Sequence, residues 1–273
     1  MTSSRNSEYR LPRPANMDRP ASGFTDVHCH CLPGLDDGPT DVSQALSLCQ
    51  ALVADGITQV VASPHELGRF DGRCDPHIVR RAVEQLNRIL REKEVGLTVL
   101  PGADVRLDER IPQFLESDKV LTVGDGHRYL LLELPHEVFI DPLMLLKRLD
   151  QMGVTAVITH PERHDFLAGH PDSVGRWSDY RPCLQITAAS LTGDFGRQCE
   201  EAAWTFLQED LPAVVATDAH DTSARAPRMT AAYQRLSRRL GRSAAELLCI
   251  ENARRIVSGR ELVTLGEALY QRE

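Results

Sequence analysis

The sequence predicts an α/β protein whose parallel strands curl into a distorted, TIM-like (β/α)7 barrel. Two observations carry this expectation. Seven short apolar runs recur along the chain, each followed by sequence of helical character. Histidine and carboxylate side chains stand at or just past the ends of nearly all of these runs, and a parallel barrel gathers its strand ends at one mouth. An open doubly wound sheet would instead place its site at a single switch point.

The runs are FTDVHCH (24–30), ITQVVAS (57–63), LTVLPGADV (97–105), YLLLEL (129–134), VTAVITH (154–160), CLQITA (183–188) and PAVVAT (212–217). Helical sequence follows at 40–54, 76–93, 107–117, 141–152, 162–177 and 195–209, and again after the last run. Runs that are apolar without clean alternation suit strands covered on both faces, and βα alternation implies right-handed crossovers. The stretch 64–76, with its Pro, Gly and Asp, reads as a long loop on the pocket rim. At 273 residues, one large domain is expected over 23–273. Residues 1–22 carry four arginines and three prolines but no apolar h-region, so they read as a disordered leader rather than a signal peptide.

A formal charge of −8, from 39 acidic and 31 basic residues, argues against a general nucleic-acid or anionic-membrane surface. A phosphate-bearing substrate then needs local positive charge. No apolar stretch approaches the roughly 20 residues needed to cross a bilayer, so no membrane insertion is expected. Seven cysteines, odd in number and irregular in spacing, read as reduced thiols of a cytoplasmic protein. The oligomeric state is left open, a homo-oligomer included.

Strand period 2 places Asp26, His28 and His30 on one face and Val27, Cys29 and Cys31 on the other. Two imidazoles two residues apart on one face can grip one ion. A zinc site using the interleaved HCHC string is the weaker reading, because alternating faces diverge and no second pair lies at finger spacing. Asp36 and Asp37 sit in PGLDDG, where aspartate is ordinary turn chemistry; Asp37 becomes a candidate through its distance from His30. His65 ends ITQVVASPH. Asp104 and Glu133 end apolar runs, where a buried carboxylate needs a cation or an arginine such as Arg106. His160 closes VTAVITH, and Asp218 and His220 close PAVVATDAH. His77, His127, His136, His164 and His170 fall in loops or helical segments and read as solvated or locally capped.

With these residues assembled, the chain resembles the polymerase-and-histidinol-phosphatase (PHP) superfamily. More narrowly, it resembles the bacterial manganese-dependent tyrosine-protein phosphatases of capsule and exopolysaccharide synthesis. The resemblance spans about residues 24–262 and rests on DVHCHCLPGLDDG, VVASPH, LPGADV, YLLLELP, VITHPER, QITAASLTGDFG, VVATDAHDTSAR and ENARRIV. It implies a distorted barrel holding three divalent ions, with His28, His30, Asp37, His65, Asp104, Glu133, His160, Asp218 and His220 as ligands. Glu133 would bridge ions, Arg163 and Arg225 would face the phosphate, and His220 or Asp218 would assist as acid. Mn²⁺ is the favoured ion, with Fe, Zn, Co or Mg as alternatives. The third-strand ligand of the family is usually glutamate; Asp104 is one methylene shorter. The implied substrate is a phosphotyrosyl protein, a tyrosine autokinase of polysaccharide export.

Three rivals are weighed on residues. A cysteine-nucleophile phosphatase needs a Cys-x5-Arg loop; Cys74 to Arg80 and Cys249 to Arg255 match that spacing, but neither lies in a Gly-rich strand-to-helix loop. Many amidohydrolases bridge their metals with a carboxylated lysine, whereas Lys93, Lys119 and Lys147 end no strand run. Histidinol-phosphate hydrolysis is the competitor within the superfamily.

Overall fold

The computed structural model describes residues 23–136 and 138–270, so the expected leader at 1–22 lies outside the described residues. Nine strands are present among them: β1 (Phe24–Cys29), β2 (Ile57–Ala62), β3 (His65–Glu66), β4 (Thr98–Pro101), β5 (Asp104–Arg106), β6 (Tyr129–Glu133), β7 (Thr155–Thr159), β8 (Cys183–Thr187) and β9 (Ala213–Ala216). All pair in parallel, in the orders β1-β2-β4 and β3-β5-β6-β7-β8-β9. The fold is therefore a mixed α/β one built on parallel sheets.

Seven expected strands become nine because two of the runs break. β2 passes into β3 at Ser63–Pro64, where proline has no N–H for the ladder; the Pro64 carbonyl accepts instead from Asp104 N at 3.1 Å. β4 passes into β5 at Gly102–Ala103. A Cβ on Gly102 would lie 2.6 Å from Val61 Cγ1, so the two breaks lie against each other and only glycine fits between them. β3 also falls inside the stretch expected to be a loop at 64–76.

Between the strands run α1 (Val42–Ala54), α2 (Pro76–Glu92), α3 (Ile111–Glu116) and α4 (Leu143–Gln151), then α5 (Asp165–Gly169), α6 (Ala188–Thr192), α7 (Arg197–Phe206) and α8 (Met229–Leu240). After them come α9 (Arg242–Glu246) and α10 (Asn252–Val257). Asp41 and Asp75 cap α1 and α2, accepting from Gln44 N at 3.0 Å and His77 N at 2.8 Å. α2 buries Val79, Val83, Leu86 and Leu90, the spacing of a single apolar stripe, and each such side chain contributes about 1.5–3 kcal/mol on burial. The helix expected over 162–177 is instead a 3₁₀ turn at Pro161–Arg163, the short α5 and a 3₁₀ stretch at Pro171–Tyr180; prolines at 161 and 171 reset the backbone at each start.

The apolar interior has two parts. One packs strand side chains such as Leu130, Leu132 and Ile158 with helix residues such as Leu48, Leu52 and Leu86. The other gathers Val27, Val61, Leu131, Val157 and Val214 with Ile256 of α10. Strands covered on both faces explain the near-continuous apolar runs. One detail departs from strict alternation: Val27 belongs to the second cluster, whereas Cys29 and Cys31 belong to the first. A register shift between Asp26 and Cys29 interrupts the period. Asp26 turns to Thr217 and accepts from its N–H at 3.0 Å and its hydroxyl at 2.5 Å.

The chain beyond β9 runs beside the end of β1. Asp218 N donates to His28 O at 2.8 Å, and His30 N donates to Ala219 O at 2.9 Å.

Candidate metal centre

The end of β1 presents two imidazoles whose orientation is fixed from behind. His28 Nδ1 lies 2.8 Å from Gln185 Oε1, and His30 Nδ1 lies 2.5 Å from Asp36 Oδ2. Both partners are acceptors, so each Nδ1 carries a hydrogen and, in the neutral ring, each Nε2 keeps a lone pair. The two Nε2 atoms face each other at 3.1 Å. Facing lone pairs repel unless positive charge lies between them. Burial lowers the His28 pKa. Burial also opposes charge on His30, but Asp36 and Asp218 outweigh it and lift that ring to about 10, so the cage favours positive charge here.

The PGLDDG loop folds back beneath this pair. A Cβ on Gly38 would lie 2.5 Å from the His30 carbonyl oxygen, an approach only glycine permits. Asp36 accepts from Gly38 N and from His65 N, each at 3.0 Å. Burial would raise its carboxyl, but His30 brings it down to about 2. Asp37 turns the other way: Oδ1 is 3.3 Å from His220 Nε2 and 3.5 Å from His65 Nε2, and Oδ2 accepts from Arg69 at 2.9 Å. The His220 imidazole beside it, against the smaller opposing effect of burial, holds the Asp37 carboxyl far below its ordinary value.

Asp104 Oδ2 lies 3.7 Å from His28 Nε2 and 3.3 Å from His65 Nδ1. The shorter side chain thus still reaches between two histidines from different strands. Asp218 has a left-handed backbone, φ 50°, and sets Oδ1 3.4 Å from both His28 Nε2 and His30 Nε2. Its Oδ2 accepts from Arg163 and, at 2.5 Å, from Arg225. Burial alone would raise this carboxyl, but His28, His30 and the two guanidinium groups hold it well below the usual range. His220 Nδ1 is 3.0 Å from the Asp218 carbonyl, which leaves Nε2 as the inward lone pair.

Glu133 closes the other side. Its Oε2 is 3.2 Å from Arg106 Nη1 and 3.8 Å from His65 Nδ1; its Oε1 is 3.6 Å from His136 Nε2 and 4.0 Å from His160 Nε2. His160 is also left-handed, φ 36°, and its amide donates to Gln185 O at 2.9 Å. Burial, with Arg163 beside it, drives the His160 pKa well down.

The nine sequence-derived positions therefore meet in one place. The buried atoms Asp104 Oδ1 and Oδ2, Asp218 Oδ1, His65 Nδ1 and His220 Nε2 have no hydrogen-bond partner. Each such orphan costs on the order of 1–3 kcal/mol. Donor separations across the cage of 3.3–4.0 Å lie beyond the usual hydrogen-bond length of about 2.7–3.2 Å and match two ligands each about 2.1 Å from a shared ion. Four overlapping groups of donors lie within 4.8 Å of one another: His30–Asp37–His65–His220, His28–His30–Asp104, His65–Asp104–Glu133 and Glu133–His136–His160. The residues fit a cluster of cations. Above them opens a cavity of about 360 Å³ with Arg69, Arg106, Arg163 and Arg225 on its wall beside Phe70.

Sequence reasoning passed over Asp36, Gln185 and His136. Asp36 was set aside as turn chemistry and Gln185 as strand interior; only contacts across the fold reveal their aim. His136, with its side chain 36% exposed, lines the cavity. His164 caps α5 as a local cap would, accepting from Leu167 N at 3.5 Å, but it is buried rather than solvated. The cysteine rival loses its nucleophile: Cys74 and Cys249 are both buried, and burial pushes the Cys74 thiol to about 12 and Cys249 higher still.

Parallel strands with histidines and carboxylates at their ends define a mixed α/β protein with a candidate metal centre at the strand ends. A lactonase of Listeria monocytogenes, Lmo2620, shares the fold alone, with a TM-score of 0.57 at 12% identity over 88% of this chain and 95% of its own. The chain belongs to the capsular polysaccharide synthesis CpsB/CapC family, whose profile matches residues 24–258. The tyrosine-protein phosphatase YwqE of Bacillus subtilis is 33% identical over 201 residues, 73% of this chain and 78% of that relative. The tyrosine-protein phosphatase CpsB of Streptococcus pneumoniae is 26% identical, over 85% and 97%. A crystal structure from the study of YwqE and CpsB as metal-dependent tyrosine phosphatases superposes with a TM-score of 0.83 at 30% identity, covering 88% of this chain and 96% of that one. Among the described residues, no helix is long and apolar enough to cross a membrane.

Proposed function

We propose that this protein is a metal-dependent phosphomonoester hydrolase acting on phosphotyrosyl proteins, with a tyrosine autokinase of polysaccharide export as its cytoplasmic substrate. The observation that carries this reading is the set of buried, unpartnered carboxylate and imidazole atoms beneath an arginine-lined cavity, in a chain whose relatives are tyrosine-protein phosphatases. Residues 23–273 act as one domain. The split runs count as single strands, and the two sheets work as one distorted (β/α)7 barrel, a view supported by the hydrogen bonds from the segment after β9 to β1.

His28, His30, Asp37, His65, Asp104, Glu133, His160, Asp218 and His220 would hold up to three divalent ions, Mn²⁺ foremost. Such ions supply Lewis acidity and lower the pKa of an attacking water from 15.7 toward about 7. Gln185, Asp36 and the Asp218 carbonyl keep the Nε2 lone pairs of His28, His30 and His220 turned inward. Arg163 and Arg225 stand over Asp218 at the cavity floor, where guanidinium groups neutralise charge gathering on phosphoryl oxygens. A tyrosyl leaving group, pKa about 10, needs less protonation than a serine alkoxide, so no strong acid is required of His220.

The decisive experiment measures turnover of a phosphotyrosyl peptide, a phosphoseryl peptide and histidinol phosphate, with and without Mn²⁺, after chelation or thiol alkylation. Mn²⁺-dependent, chelator-sensitive and alkylation-resistant turnover of the phosphotyrosyl peptide is expected. Preference for histidinol phosphate would reassign the substrate, and an alkylation-sensitive, chelator-resistant activity would overturn the chemistry. Asp36→Asn sets an amide NH₂ either against the Gly38 N–H or against the His30 and His65 donors together, which loosens the hold on His30, and Mn²⁺ affinity is expected to fall about 10- to 100-fold. Equilibrium dialysis checks this; unchanged affinity would show that Asp36 does not orient His30.

A further inference from the structure

We infer that His136 is an additional cation ligand, completing a three-donor site with Glu133 and His160 at the outer edge of the cage. The inference rests on the metal-centre reading above and adds a residue that the sequence resemblance did not carry. His136 Nε2 lies 3.6 Å from Glu133 Oε1, and His160 Nε2 lies 4.0 Å from the same oxygen. Both separations are too long for hydrogen bonds and suit donors each about 2.1 Å from a common ion. The two rings lie nearly parallel, with centroids 5.4 Å apart and planes inclined by 15°, and the Nε2 atom of each stands near the same Glu133 oxygen. His160 is 3% exposed and Glu133 7%, whereas the His136 side chain is 36% exposed. The third donor therefore approaches a buried pair from the cavity side.

The composition of the site has a consequence. Glu133 and His160 alone offer one oxygen and one nitrogen; His136 makes the set two nitrogens and one oxygen. An added imidazole favours ions such as iron or zinc over magnesium. His136 stands just past the end of β6, three residues after Glu133, so one segment supplies both an oxygen and a nitrogen to the same ion.

The test uses the full-length protein, stripped with chelator and titrated with Mn²⁺, with free ion followed by its aqueous EPR signal. The wild type is compared with His136→Ala and His136→Phe; phenylalanine keeps the ring against His160 and removes both nitrogens. Near-ultraviolet circular dichroism verifies folding. Both variants are expected to weaken one class of bound Mn²⁺ by at least about tenfold while the remaining ions bind as in the wild type. Wild-type binding by His136→Phe would show that the ring only packs, and would overturn the inference while leaving the cage intact. A wild-type protein that takes up no Mn²⁺ would overturn the cage itself, and this site with it.

Discussion

Alanine at both His28 and His30 is expected to lower phosphotyrosyl-peptide turnover by at least about 10⁴-fold, equivalent to roughly 5.5 kcal/mol of transition-state stabilisation, and to release bound metal. The two Nε2 atoms are 3.1 Å apart, and each is 3.4 Å from Asp218 Oδ1. Removing both takes two nitrogen donors from beside Asp104 and Asp218 and leaves a void at the centre of the cage. Steady-state kinetics with metal analysis of the same sample provide the measurement, and a circular-dichroism melt separates loss of the site from loss of the fold. Near-normal turnover by a folded double variant would remove this cage from the reaction.

Replacing Arg163 and Arg225 together with alanine acts on a different part of the site. Both guanidinium groups bind Asp218 Oδ2, on the side away from the histidines that face Oδ1. Their loss removes positive charge from the cavity wall but no candidate ligand. The expected result is a fall in kcat of about 10²- to 10³-fold with metal content unchanged. Arg163→Lys should rescue only in part, because an ammonium cannot copy the planar fork that also lies 4.7 Å over the Phe195 ring. Loss of metal in parallel with activity would make these arginines supports for Asp218 rather than contacts for phosphate.

The strand-end residues were legible because burial of a charged group is costly, so a histidine or carboxylate closing an apolar run announces a partner. Asp104, Glu133, His160 and Asp218 all gave that signal, and all four line one cage. Asp36 gave none: in PGLDDG it looks like any turn aspartate, and its hold on His30 depends on a loop folding back over Gly38. Gln185 acts across 157 positions of sequence on His28, a contact that no local pattern encodes. The runs themselves were clear, but their breaks were not. Whether β2 and β4 continue through Pro64 and Gly102 is decided by how closely the two backbones approach, and periodicity carries no information on that distance.

The meeting of β1 with the segment after β9 joins the first strand of the chain to the last, and it does so through His28, His30 and Asp218 themselves. An ion held there would act as a rivet across the seam between β1 and the segment that follows β9. Loading would then be felt as mechanical cohesion as well as chemistry, so the state of the seam and the readiness of the enzyme would rise and fall together.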